Sequence, residues 1–385
     1  MDEAFDDIVF SASRRCIIIV TALALYAAVP AYAQKRLVLV DQDGSGPADS
    51  NQMAMLALLQ SPDVDVLGIT IVTGNAWRDE EVQHTLRMLE LTGHSDVPVV
   101  PGAVFPLVRT QEETRLAMQL IGKPLWLGAW GRRTTNLATP PGALLTTEAV
   151  HGPWDVPPLP EGSPTTRPLD EDAAHFLVRQ VRAHPGQVTI YAAGPLTNIA
   201  LAVAIEPKFA ELTRGIVIMG SSLNPATEDP EFATSPRHEF NFWFDPEAAR
   251  IVLRAPWPRI DLTTVDVSIK AMFTQEMFDA ISRARSAAAQ YIAKFAKERY
   301  YLWDELAACA WLDPTIITKV REVYMDVDLS HGPSYGHTLT WAEKLQPLTG
   351  VRRVHAQVDL DLPRFTKMFV NLMSSAPPHR GRTTR

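Results

Sequence analysis

Arg36-Leu37-Val38-Leu39-Val40-Asp41-Gln42-Asp43-Gly44-Ser45-Gly46-Pro47-Ala48-Asp49-Ser50-Asn51 is the stretch on which the reading of the fold turns. Its first five residues are a short apolar run with no polar alternation, the pattern of a strand buried on both faces. The run stops at a polar, glycine-bearing loop, and Met53 to Leu59 then reads as a helix. Working outward, Val64 to Val72 is β-branched and reads as a second strand. Glu80 to Thr92 places Val82, Leu86 and Leu89 on one helical face, and Val97 to Val100 is a third strand. The alternation resumes with a helix over Asp172–Ala183, a strand over Val188–Tyr191, a helix over Asn198–Ala204 and a strand over Gly215–Met219. Helices are expected again at Gln275–Ala284 and Ala287–Trp303. Strands alternating with helices predict an α/β domain: a Rossmann-like, mainly parallel sheet with helices on both faces.

The 385 residues are 46% hydrophobic and 21% charged, an ordinary globular composition that excludes bulk disorder. With 36 basic and 44 acidic residues the net charge is −8, and no long Lys/Arg run is present, so no nucleic-acid partner is expected. Two cysteines, Cys16 and Cys309, exclude a disulfide framework and a cysteine-rich zinc site. Cys309, within Ala307-Ala308-Cys309-Ala310, reads as a small buried apolar residue.

Arg14-Arg15, an apolar run to Val29 and Ala31-Tyr32-Ala33 form a secretory leader pattern cut after Ala33. The run is short for a membrane span. The chain is therefore read as exported, periplasmic or secreted, with no membrane association after cleavage. One domain over 34–374 follows, and 375–385 is expected to be a disordered tail. The stretch from Arg109 to Pro168 is rich in proline, with Pro140-Pro141 and Pro157-Pro158, and reads either as a functional loop or as an exposed insertion.

In open α/β sheets ligands bind beyond the carboxyl ends of the strands. The loop after the first strand carries Asp41, Asp43 and Asp49, and clustered carboxylates commonly hold a hard divalent cation such as Ca²⁺. Asp41, Asp43, Ser45 and Gly46 fit the first half of an EF-hand loop. The twelfth position would then be Gln52 instead of Glu, and the element before the loop is a strand. Gly44-x-Gly46 lacks the third glycine of a dinucleotide fingerprint. The plainer reading is a polar turn that caps the next helix through Ser50 or Asn51. Other strand ends contribute Thr73-Gly74-Asn75, Ala193-Gly194-Pro195-Leu196-Thr197-Asn198 and Met219-Gly220. Glu239-Phe240-Asn241 precedes Asp245-Pro246, a helix start, and Asp304 follows Tyr300-Tyr301-Leu302-Trp303.

The order and spacing of these segments resemble the nucleoside hydrolases of the inosine/uridine-preferring type, from about Arg36 to about Asp328. Val97 to Ala103 with Pro106-Leu107, His151-Gly152 and Val217-Ile218-Met219-Gly220 belong to the same resemblance. It implies a small-molecule ribosyl substrate, cleavage of the N-glycosidic bond of ribonucleosides to ribose and free base, a tightly held Ca²⁺, and a homo-oligomer, dimer or tetramer. It further implies that Asp43, Asp304 and the Ala193 carbonyl ligate the cation. Asn75, Glu239 and Asn241 would hold the ribose, with Met219, His151, His238 and Trp303 also lining the substrate. The first motif departs from the family's DxDxxxDD. Either Asp49 takes the base position and Ser50 replaces a carboxylate ligand, or Ser50 and Asn51 take the paired positions, which puts Asn51 in a metal-ligand place. Asp49 is the expected general base, with Asp41 next. Trp303 stands where some members carry an acidic histidine and suits stacking on a base; His238 and His151 are the candidate acids. A ribosyl-binding protein that has lost turnover is the second reading. A haloacid-dehalogenase-like phosphotransferase also opens with DxD, but the Gly194–Asn198 segment has no place in it.

Overall fold

The computed structural model describes residues 35–122, 124, 126–131, 151–296 and 300–378. The leader expected at 1–33 lies outside these residues, as do 132–150 of the proline-rich stretch and 379–385 of the expected tail. The strands are β1 (Arg36–Gln42), β2 (Val64–Ile71), β3 (Val99–Pro101), β4 (Val188–Ala193), β5 (Gly215–Met219), β6 (Ile260–Thr263), β7 (Ile317–Val327), β8 (Thr338–Trp341) and β9 (Arg352–Leu360). They form one nine-stranded sheet in the order β3-β2-β1-β4-β5-β6-β9-β7-β8. The pairings from β3 through to β9 are parallel, and β7 runs antiparallel to both β9 and β8.

Side chains of successive strand residues point to opposite faces, and the central strands show this in their packing. Val38 and Val40 of β1, with Tyr191 and Ala193 of β4, join a core with helices Ser50–Leu59, Arg78–Thr92, Ala287–Phe295 and Trp303–Leu312. Leu39, Ile190 and Ala192 join the opposite core with helices Ala173–Ala183, Thr197–Ile205 and Pro246–Arg254. Both faces are covered, which is why the strand sequences lack polar alternation. Cys309 is fully buried in the first core. Among the described residues no helix is long and apolar enough to cross a membrane.

The order β3-β2-β1-β4 contains the feature that positions the site. The chain moves outward from β1 to β3, then returns to lay β4 against the other edge of β1. Loops leaving β1 and β4 diverge there and open a crevice. Register places Gln42 opposite Ala193 and Asp41 opposite Ala192, so the two strand ends are level.

Several expectations are corrected. The helix from Ala287 stops at Phe295, and a separate helix starts at Trp303; Tyr301, between them, bridges to Met272. The proline-rich stretch contains a helix, Gln111–Ile121, capped by Thr110. The cap of helix Ser50–Leu59 is Asp49, with Ser50 and Asn51 already inside its first turn. Strands β6 to β9 and helix Leu362–Ser374 were not expected. Ser375 is tied down, its carbonyl accepting from Gln60 Nε2 at 2.9 Å.

Candidate active site

Asp41 and Asp43 leave the end of β1 in a fully buried position. Asp43 is gripped by backbone on two sides. A Cβ on Gly74 would lie 2.0 Å from Asp43 Oδ2, and one on Gly194 would lie 3.0 Å from Asp43 Cβ, so these strand-end glycines let the chain close around the carboxylate. Asn75 N–H donates to Asp43 Oδ2 at 3.1 Å. Asn51 Nδ2 donates to Asp43 Oδ1 at 2.7 Å, to Gln42 Oε1 at 2.7 Å and to the Ala193 carbonyl at 3.4 Å. Gln42 Nε2 in turn donates to Asp304 Oδ2 at 3.3 Å. Asp43, Asn51, Asn75, Ala193 and Asp304 are thus drawn into one connected group.

Ser50 Oγ donates to Glu305 Oε2 at 2.5 Å and accepts from Asp304 N–H at 3.4 Å. Ser50 and Asn51 are therefore the pair that faces Asp304 and Asp43. Asp49 is placed differently. It is partly buried at the head of the helix, where Oδ1 accepts Gln52 N–H at 2.8 Å and Oδ2 accepts Ser45 Oγ–H at 3.2 Å. Ala48, just before it, has a φ of +57°, a left-handed conformation that costs a non-glycine residue strain. Asp41 lies deeper, with Oδ1 accepting from Thr70 Oγ1 at 2.5 Å and Asn198 Nδ2 at 2.8 Å.

At the end of β5, Asn241 Nδ2 donates to the Met219 carbonyl at 3.2 Å. Glu239 caps the short helix Phe240–Phe244, accepting from the N–H groups of Asn241, Phe242 and Ser221. Trp303 packs edge-on against Phe232 and Tyr301. His238 is buried, and burial lowers it to about 3, helped by His337 and Arg109, so its ring is neutral near pH 7. His151 pairs with Glu80, not with Asp43 or Asp304. Its Nε2 lies 2.9 Å from Glu80 Oε2 and its Nδ1 2.9 Å from the Gly152 carbonyl.

The electrostatics are one-sided. Asp41, Asp43, Glu81, Glu239, Asp304 and Glu305 are all buried, and among the described residues no ion pair joins them to Lys or Arg. Burial, with the charge of Asp304, pushes Asp43 well above the ordinary carboxylate range. Burial does the same to Asp304, with Asp49 and Glu239 adding. Asp41 is raised to about 7 by burial, against hydrogen bonds from Asn198 and Thr70. Among the described residues, Asp41 Oδ2, Glu81 Oε2 and Glu305 Oε1 have no hydrogen-bond partner. Such a cluster is stable when its acids stay protonated or when a cation enters. Among the described residues no three His, Cys, Asp or Glu side chains come together as a metal-holding group. A cation here would rest on two carboxylates, Asp43 and Asp304, the Ala193 carbonyl, an amide oxygen of Asn51, and oxygens from outside the chain. That donor set is all oxygen and fits a hard ion such as Ca²⁺.

Residues that the sequence did not single out complete the site. Gln42 bridges Asn51 and Asp304, and its signal was a polar residue between two aspartates at a strand end. Glu305 stands beside Ser50 in helix Trp303–Leu312, whose residues other than Asp304 and Glu305 are apolar. Trp126 Nε1 donates to Asn75 Oδ1 at 2.8 Å from a loop with no readable pattern.

The sequence profile of the family described as "Inosine-uridine preferring nucleoside hydrolase" matches residues 38–367. A probable uridine nucleosidase 1 from Oryza sativa subsp. japonica is 27% identical over 88% of this chain and 97% of its own length. Pyrimidine-specific ribonucleoside hydrolase RihA from Citrobacter koseri is 32% identical over 62% of this chain and 63% of its own length. Among solved structures, the plant nucleoside hydrolase PpNRh1 superposes with a TM-score of 0.67 at 23% identity, covering 88% of this chain and 99% of that one. A purine-preferring ribonucleoside hydrolase from Gardnerella vaginalis gives 0.66 at 21% identity, covering 88% and 98%. At these identities the two structures speak for the fold.

Proposed function

This chain belongs to the inosine-uridine preferring nucleoside hydrolase family, and we propose that it hydrolyses the N-glycosidic bond of ribonucleosides with the help of Ca²⁺, giving ribose and free base. The observation that carries the reading is the buried, uncompensated carboxylate cluster at the junction of β1 and β4. Cleaving a glycosidic bond builds positive charge on the sugar, and fixed negative groups around it lower that barrier. The sequence relatives named above are uridine or pyrimidine enzymes by name, and a structural neighbour is purine-preferring, so the proposal stops at ribonucleosides as a class.

Asp43, Asp304, the Ala193 carbonyl and Asn51 would hold the cation. When bound, it supplies a Lewis-acid centre that fixes the sugar hydroxyls and makes water more acidic. Asn75, Glu239 and Asn241 would orient the ribose, with Met219 fixing Asn241 through its carbonyl. Trp303 would stack on the leaving base. The proton acceptor is proposed to be Asp43 in place of Asp49. Asp49 is engaged by its own loop; both Asp43 oxygens also accept hydrogen bonds, but from Asn51 and Asn75, beside the Ala193 carbonyl and the proposed ribose-holding residues. With His238 neutral by burial and His151 held against Glu80, the leaving group is proposed to depart with a proton from solvent. Oligomerisation and export remain part of the proposal.

The test is release of free base and ribose from uridine and inosine by the purified chain, with and without a calcium chelator. Release that the chelator abolishes and added Ca²⁺ restores is the expected result. Release unaffected by chelator overturns the calcium part. No release from any common ribonucleoside, with ribose still bound, overturns hydrolysis in favour of a binding protein.

A further inference from the structure

We propose that the Asn51 amide is a built-in stand-in for the cation, locked in that role by Asn75 and Trp126. Its Nδ2 faces three oxygens: Asp43 Oδ1 at 2.7 Å, Gln42 Oε1 at 2.7 Å and the Ala193 carbonyl at 3.4 Å. An amide nitrogen carries only two hydrogens, so the oxygens outnumber what it can serve. Oxygens converging from a carboxylate, an amide and a carbonyl suit a small hard cation better than an NH₂ group. Where it sits, the NH₂ group offsets part of the oxygens' mutual repulsion.

The orientation is dictated from outside. The Trp126 indole N–H can only donate, and it donates to Asn75 Oδ1 at 2.8 Å. This leaves Asn75 Nδ2 pointing at Asn51 Oδ1, 3.3 Å away. Asn51 Oδ1 is thereby held away from Asp43 and Nδ2 is held toward it. For Asn51 to ligate a cation its amide must turn over, which forfeits the bond from Asn75 and sets two NH₂ groups against each other. Cation entry therefore competes with an internal polar relay. On this reading the chain should fold without the ion and bind it more weakly than a carboxylate at position 51 would. The inference rests on the calcium reading above, since it presumes that a cation enters the cage.

The test uses the full chain, dialysed against chelator, titrated with Ca²⁺ by calorimetry and melted with and without the ion. Asn51→Asp adds a charged ligand and should bind Ca²⁺ about 10-fold tighter or more, because ligand charge tunes such sites. Its cation-free form should melt below wild type, since it loses the NH₂ group and gains a carboxylate. If Asn51→Asp does not fold in chelator, recovery of a cooperative melt on adding Ca²⁺ gives the same support. Trp126→Phe releases the relay without touching the cage and should bind about 2–10-fold tighter, the worth of one neutral hydrogen bond. Wild-type binding that neither variant tightens overturns the stand-in role and leaves the calcium reading intact. Absence of Ca²⁺ binding in wild type and both variants overturns the calcium reading, and this inference with it.

Discussion

Replacing Asp49 with Asn and with Ala separates a helix cap from a catalytic base. The structure assigns Asp49 the cap of helix Ser50–Leu59, through the 2.8 Å bond that its Oδ1 accepts from Gln52 N–H. Asn caps about as well as Asp, whereas Ala cannot, at a cost of about 1 kcal/mol. For a domain of this size that is a fall in melting temperature of roughly 1–2 °C. Asp49→Ala should therefore melt slightly lower, while Asp49→Asn should melt as wild type. The catalytic outcome follows from which carboxylate faces the cage. If Asp43 is the proton acceptor, Asp49→Asn should keep turnover within about 3-fold, the small change expected of an indirect electrostatic neighbour. Asp43→Asn should lose about 10²–10⁴-fold, which is about 3–5 kcal/mol on the barrier. Asp43→Asn should also weaken Ca²⁺, so kcat is compared at saturating ion. The assay is base release at saturating uridine or inosine, paired with thermal melts of each variant. A well-folded Asp49→Asn that has lost about 10²-fold or more in kcat, the range of a general base, would return the base role to Asp49 and refute the reasoning from its engaged oxygens.

Other outcomes follow from the same geometry. His84 is held between Glu161 and Glu80; burial alone would lower it, but the hydrogen bonds and charges of those carboxylates raise it to about 9 from 6.5. A raised histidine stabilises the fold fully below about pH 6.5, and this is lost as pH rises through about 9, worth at most ~3 kcal/mol. Urea melts of wild type and His84→Gln should converge between pH 7 and 10 as this contribution fades; a difference that stays constant over that range would show that the ring is not charged. Gly74→Ala drives a Cβ into Asp43 Oδ2, so Ca²⁺ binding should fall at least as far as in Asp43→Asn; a variant with wild-type affinity would mean that the close approach is not needed. N-terminal sequencing of exported protein should begin at Gln34, and a soluble product that retains the leader would contradict cleavage at Ala33.

Strands β1, β2, β4 and β5 were legible because each is buried on both faces and interrupted by glycine or proline signals. Their level carboxyl ends then followed from parallel pairing, so the placing of Asp43, Asn75 and Ala193 was legible too. The far side of the sheet was not. β7 is mostly exposed along its first half, with Lys319, Arg321 and Glu322 outward, and offers no apolar run to read. The break before Trp303 was hidden because Tyr300 to Trp303 continues the apolar composition of the preceding helix, while Leu302 N–H bonds to the Ala271 carbonyl across the chain.

The first loop shows where local rules stop. By capping rules Ser50, Asn51 and Asp49 are equivalent candidates for one role, since each has a short side chain that can accept the N–H groups of the first turn. What distinguishes them is a partner far along the chain. Glu305 takes the Ser50 hydroxyl and Asp43 takes the Asn51 amide, so the helix is turned to bury both, and Asp49 is left at the cap. The glycine-bearing loop, with Gly46 at a φ of +50° over the His84 ring and Ala48 strained beside it, supplies the extra length that this rotation needs. The Ser50 hydroxyl thus meets a carboxylate at 305, and the Asn51 amide nitrogen sits among oxygens. A Ser50→Asp variant would set a second carboxylate against Glu305 in a buried space, where like charges cannot both ionise. Its cation-free form should be strongly destabilised and rescued by Glu305→Gln, and a double variant no more stable than Ser50→Asp alone would break the link between the two positions.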